Sequence, residues 1–229
     1  MRDGTLFYVA GASRSGKSAW TKEQTRTASP KDRLIIWDVK GEYPGRRITS
    51  RRELFEYIQR HHAGAIAYTS NNLADFDFWA LAAFTWAKAN AGRGKTIIIG
   101  DELSDVTRPG KAPQWWGVLL RRGLGFNCDI YAISQRPAES DTTAMGNAGV
   151  IHCARLNRFE DRRRMASEID LPRAIIDNLR ADEAAGKWDF VRVDKRTGQV
   201  FHGAMVRKGG KIIEKQHPPG RSKPRKTAE

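Results

Sequence analysis

The chain has 229 residues, with 40 Lys and Arg against 26 Asp and Glu, a formal charge of +14. That length suits one α/β domain with a sizeable core, and no run approaches the roughly 18 apolar residues of a membrane span. The most apolar stretch, residues 79–91, is broken by Thr85, Lys88 and Asn90, and the Met-Arg-Asp-Gly start lacks a signal-peptide core. A membrane-spanning or secreted chain is therefore not expected. Cys128 and Cys153 each sit in an apolar run and read as buried thiols in a reducing compartment. The charge points either to a polyanionic partner or to a basic, solubilising surface.

In chain order, apolar runs at residues 5–10, 33–38, 65–69, 96–101, 129–134 and 150–154 read as strands. Helical patterns fall between them at 17–28, 51–61, 73–91, 113–122 and 160–169. This alternation implies an α/β fold with a mostly parallel central sheet flanked by helices. Residues 188–193 and 200–206, joined through Lys195-Arg-Thr-Gly, read as a C-terminal β-hairpin. Three prolines and no large apolar residue from Pro218 onward suggest a disordered tail. The expected division is a domain over 1–206 and a basic tail over 207–229, the tail holding +6 of the charge.

Residues 11–18, Gly-Ala-Ser-Arg-Ser-Gly-Lys-Ser, match G-x-x-x-x-G-K-[ST], between an expected strand and an expected helix. Gly11 and Gly16 permit the bend that turns the N–H groups of Ala12, Ser13, Arg14, Ser15 and Ala19 toward phosphate oxygens. Lys17 supplies a point charge to terminal phosphates, Ser18 a hydroxyl for Mg²⁺, and the helix its positive dipole end. The pattern implies ATP with Mg²⁺ as the cofactors of a P-loop NTPase. The strand at 96–101 ends in adjacent carboxylates. Asp101 is expected to order the Mg²⁺ shell through water, and Glu102 to accept the proton of an attacking water. The strand at 129–134 runs into Gln135-Arg136-Pro137, where a strand-end amide can contact both a γ-phosphate and the lytic water.

Four stretches together resemble the HerA/FtsK superfamily of P-loop DNA-pumping ATPases, whose fold is of the ASCE, RecA-like kind. They are residues 11–18, Trp37-Asp-Val-Lys-Gly-Glu-Tyr43, residues 97–102, and residues 121–137, which close on Gln-Arg-Pro. Within the superfamily the chain is most similar to the genome-packaging ATPases of tailless, membrane-containing double-stranded DNA phages. That resemblance implies a homo-oligomeric ring, a hexamer, threading double-stranded DNA into a preformed capsid at one vertex beside portal or vertex proteins. It implies action in the host cytoplasm and on the virion, Gln135 as sensor, and an arginine finger from a neighbouring subunit. Arg122 or Arg121 matches the finger position, with Arg155 and Arg158 as weaker alternatives.

On this reading, cations expected to face DNA are Arg46, Arg47, Arg51, Arg52, Arg93, Lys95, Arg162, Arg163 and Arg164. Trp79 and Trp86 lie in a helix that is apolar nearly all round and read as core or subunit interface, and Trp115-Trp116 as ring interface. Three rivals remain at this point. They are a membrane-linked filamentous-phage morphogenesis ATPase, a small P-loop phosphotransferase, and a DNA-binding structural protein with a vestigial nucleotide site.

Overall fold

A computed structural model describes residues 3–26, 29–70 and 72–216. Strands β1 (Leu6–Ala10), β2 (Arg33–Trp37), β3 (Arg46–Ile48), β4 (Gly64–Tyr68), β5 (Thr96–Gly100), β6 (Cys128–Ser134) and β7 (Val150–Ala154) alternate with helices. The helices are α1 (Lys17–Thr25), α2 (Arg51–Arg60), α3 (Asp75–Ala89), α4 (Leu103–Val106), α5 (Gln114–Arg122), α6 (Thr142–Gly146), α7 (Phe159–Glu168) and α8 (Arg173–Asp177). Four further strands follow: β8 (Ala181–Asp182), β9 (Lys187–Asp194), β10 (Gln199–Lys208) and β11 (Lys211–Gln216).

All of them join one sheet in the order β11-β10-β9-β7-β1-β6-β5-β2-β4-β3, with β8 beside β9. From β7 to β3 every pairing is parallel, and β8 to β11 are antiparallel. Because β6 lies between β1 and β5, the ends of three strands carrying different chemistry open onto one crevice.

Side chains alternate across the sheet, so each central strand feeds two cores. Leu6, Tyr8 and Ala10 of β1 enter one core with Trp79 and Trp86 of α3, while Val9 enters the other beneath Trp20 of α1. The second core also takes Trp188, Phe190 and Met205, so β9 and β10 share the face that α1 covers. Helix α3 is buried nearly all round, and its Asp77 Oδ1 accepts the first N–H groups of α5, from Trp115 at 2.7 Å and Trp116 at 3.0 Å. Each capping bond of this kind satisfies a donor that the helix itself cannot.

Two expectations need correction. The domain does not end at residue 206, because β10 runs on to Lys208 and β11 pairs antiparallel with it. Lys- and Gly-rich composition hides the strand locally. Partners far away in sequence hold it, since Glu214 accepts Trp20 Nε1 at 2.7 Å and Glu23 accepts the Ile212 N–H at 3.1 Å. The hairpin is therefore a three-stranded meander. Residues 217–229 and the expected helix end at 27–28 lie outside the described residues.

Trp116 is not an interface residue. It is fully buried in this chain's own core, against Phe76 and Trp79, and its Nε1 donates to Asp141 at 3.3 Å. Most of the cations expected to face DNA are held by acids of the same chain. Arg46 pairs with Glu53, Arg47 with Asp38, Arg51 with Asp75, Arg52 with Glu56, and Lys95 with Asp129. Arg162, Arg163 and Arg164 pair with Asp177, Glu160 and Glu168. Of that set only Arg93 has no ion pair among the described residues.

Candidate active site

The phosphate loop, residues 11–16, leaves the end of β1 and turns into α1. It is pinned to both neighbouring strands: the Gly11 N–H donates to Ser134 of β6 at 3.2 Å and the Ala12 N–H to Arg155, just past β7, at 2.8 Å. Gly16 takes φ +88°, a left-handed conformation that disfavours a side chain. A Cβ there would also lie 2.8 Å from Trp188 Cγ and 3.0 Å from Met205 Cε. The C-terminal meander thus backs the loop directly, and Trp188 Nε1 donates to the Arg14 carbonyl at 3.1 Å. Arg14 is itself left-handed at φ +59°.

Lys17 is nearly buried, and its Nζ donates to the Ala12 carbonyl at 3.0 Å across the loop. Burial pushes its pKa down, opposed by the charges of Asp101 and Glu102. Asp101 and Glu102 follow β5, both nearly buried. Burial first, and the charge of Glu102 second, raise the Asp101 carboxyl to about 7, while Lys17 pulls it back. Glu102 is left-handed at φ +53°, an uncommon state for a non-glycine residue that costs about 1–3 kcal/mol. That turn separates the two carboxylates, and the Glu102 N–H closes on Asp101 Oδ1 at 2.8 Å.

Glu102 Oε1 accepts from two side chains, the Gln135 amide at the end of β6 and the Lys40 ammonium after β2. Lys40 belongs to the Trp37–Tyr43 stretch, where the sequence alone assigns it no role. The loop that carries it is folded around buried Asp38, whose carboxylate accepts the N–H groups of Glu42 and Tyr43, both at 2.9 Å. This turn also buries the Tyr43 hydroxyl, close to Ser18 and Asp101. Burial, and then the charge of Asp101, drive that hydroxyl's pKa well up.

The residues Ser13, Arg14, Ser15, Gly16, Lys17, Ser18, Ala19, Lys40, Glu102 and Gln135 line one cavity of about 560 Å³, within the usual range for small-ligand sites. Its far wall, Trp188, Arg207, Gly210 and Ile212, comes from β9 to β11. Sequence reasoning missed this wall because three of these four residues lay in the expected tail. Arg121 and Arg122 are elsewhere. They end α5, which leads through a 3₁₀ turn at Leu124–Phe126 to the start of β6, whereas the cavity lies beyond the other end of that strand. Both are exposed, and neither has an ion pair among the described residues.

No protein-family model matches the chain. Over 165 residues, 71% of this chain and 74% of its relative, it is 32% identical to Protein P9 of Pseudoalteromonas phage PM2. The chain belongs to the protein P9 family. The P9-family fold seen here is similar to solved structures of the genome packaging NTPase B204 from Sulfolobus turreted icosahedral virus 2. The sulfate complex gives a TM-score of 0.67 at 16% identity, covering 87% of this chain and 96% of that one. The AMPPCP complex gives 0.65 at 15% identity, covering 87% and 96%. B204 from Sulfolobus turreted icosahedral virus, described as a DNA-packaging ATPase, gives 0.65 at 16%, covering 87% and 97%. This member of the P9 family therefore has a P-loop NTPase fold.

Proposed function

We propose that the chain is an ATP-hydrolysing double-stranded DNA translocase that packages a viral genome into a preformed capsid. The observation that carries the hydrolytic part is the meeting of Lys17, Glu102 and Gln135 on one cavity at the ends of β1, β5 and β6. The packaging part draws support from membership in a phage protein family and from the fold shared with B204, named as a genome packaging NTPase.

The loop N–H groups and the α1 dipole hold the phosphates. Lys17 leaves the Ala12 carbonyl for a phosphate oxygen, an exchange in which its charge gains a partner of opposite sign. Glu102 takes the proton of the water that attacks the terminal phosphoryl group, and Gln135, already bonded to Glu102, fixes that water and registers the terminal phosphate. The oxygen donor set of Ser18 and Asp101, beside the buried Tyr43 hydroxyl, fits Mg²⁺, with Asp101 acting through water. The ion supplies charge neutralisation on the phosphates.

Arg121 and Arg122, without an ion pair among the described residues and remote from their own cavity, suit a role in a neighbouring subunit's site. Such fingers are worth about 10³–10⁵ in rate, which makes turnover depend on a correctly docked ring, here read as a hexamer. The DNA-contacting surface is read as Arg93 together with the ion-paired surface arginines, whose exposed pairs are worth little and can exchange for phosphate contacts. Capsid vertex or portal proteins are the remaining partners, and the host cytoplasm and the virion vertex the places of action. A virus carrying Glu102→Gln tests this reading: empty capsids are expected, and DNA-filled particles would exclude packaging by this chain.

A further inference from the structure

The cavity has a direction. Glu102, Lys40 and Gln135 gather at one end, where the terminal phosphate must sit if Glu102 is to activate water against it. The rest of a nucleotide can only run the other way, over the first turns of α1. Arg26 lies nine residues after Lys17, about 13 Å along a helix axis, and there α1 meets the β10–β11 turn. Arg26 donates to the Gly210 carbonyl at 3.0 Å, and Glu23 accepts the Ile212 N–H at 3.1 Å, so the turn is fastened to the helix.

What this turn presents to the cavity is chemically specific. The guanidinium carbon of Arg207 lies 5.0 Å from the centroid of the Trp188 ring, and that ring is buried against Gly16 and tethered to the Arg14 carbonyl. Arg207 is exposed on its other side and makes no ion pair among the described residues. Ile212, half-buried, adds an apolar surface beside it. A planar cation backed by a fixed aromatic ring, next to an aliphatic side chain, is a surface on which a heteroaromatic base stacks.

The geometry points to β10 and β11 as the nucleobase-binding wall of the site, with Arg207 on Trp188 as the stacking platform and Ile212 as its apolar border. The inference rests on the nucleotide-site reading and adds the subsite for the base. The segment beyond residue 206 is then part of ligand recognition, and the triphosphate and the base are held by opposite ends of the chain.

Calorimetric titration of the full chain with Mg-ATP and with Mg-tripolyphosphate separates the two readings, because tripolyphosphate has no base. The wild type is expected to bind ATP at least about fivefold more tightly than tripolyphosphate, the lower range of base stacking. Arg207→Ala and Arg207→Lys are both expected to erase most of that margin while leaving tripolyphosphate affinity within about twofold. Lysine keeps the charge and loses the planar face, so an Arg207→Lys chain with wild-type ATP affinity would overturn the stacking role. So would equal loss of both ligands in Arg207→Ala, or a wild type that binds both ligands equally. A wild type that binds neither would overturn the nucleotide site itself, and this subsite with it.

Discussion

The Lys40 ammonium donates to Oε1 of Glu102, an ion pair that joins the loop after β2 to the carboxylate after β5. Lys40 is half-exposed while Glu102 is nearly buried, so the solvent-facing partner is the lysine. The pair holds Glu102 in its left-handed turn with a second contact from Gln135 on the same oxygen, leaving Oε2 for water.

Lys40→Met is expected to lower kcat about tenfold, one misplaced polar contact in water activation, while changing ATP affinity by less than about threefold. Lys17→Ala is expected to do the reverse first, losing nucleotide affinity. Steady-state kinetics beside equilibrium binding checks both. An unchanged kcat in Lys40→Met would show that the ion pair is only a resting contact.

Glu102→Gln keeps size and hydrogen-bonding capacity and removes the base. Hydrolysis is expected to fall by about 10²–10⁴, with ATP binding retained, since no phosphate contact is lost. Single-turnover phosphate release on the variant measures it.

The β11 strand makes a stability prediction. Trp20 Nε1 and Arg192 both donate to Glu214 Oε1, at 2.7 and 2.6 Å. Glu214→Ala strands a buried indole N–H and a largely buried guanidinium, at a cost of about 1–3 kcal/mol. A chain ending at residue 216 is expected to melt with the full chain, whereas one ending at residue 206 is expected to melt several degrees lower or fail to fold. Thermal denaturation of the three proteins decides the boundary.

His152 predicts a pH dependence. It is fully buried, stacked between Trp20 at 4.2 Å and Phe190 at 5.1 Å, with neither ring nitrogen hydrogen-bonded among the described residues. Burial, with Arg192 nearby, holds its pKa well below the ordinary range. The folded chain therefore stays unprotonated here, while the unfolded chain takes up a proton below about pH 6.5. Stability from this position is present above that pH and is lost as pH falls below it. His152→Phe is expected to flatten the melting-temperature profile between about pH 6.5 and 5.

How legible the site was depended on how local its signals are. The phosphate loop, the acid pair and Gln135 could be read from short spacings, each at the end of an apolar run. Helices α1, α2, α3, α5 and α7 also fall within a turn of expectation, because each carries a long apolar stripe or strong flanking signals. The position of β6 between β1 and β5 is a product of crossovers, and no local pattern encodes it. Nor does any encode β11, whose Ile212 and Glu214 acquire meaning only against Glu23 and Trp20.

Arg33 shows the same limit from the other side. Arg33 opens β2, and its guanidinium is buried and satisfied by Thr96 Oγ1 and the carbonyls of His62, Arg93 and Gly94. Those partners, the first residue of β5 and loop carbonyls, lie more than 25 residues away in sequence. Lys40 and Tyr43 were visible as letters of a motif, but only folding around Asp38 aims them at Glu102 and Asp101.

Phosphate release by the purified chain with ATP, Mg²⁺ and double-stranded DNA, against a Lys17→Ala control, tests the central claim most directly. The account predicts DNA-stimulated release in the wild type that is absent from the control. Release no greater than that of Lys17→Ala would contradict it.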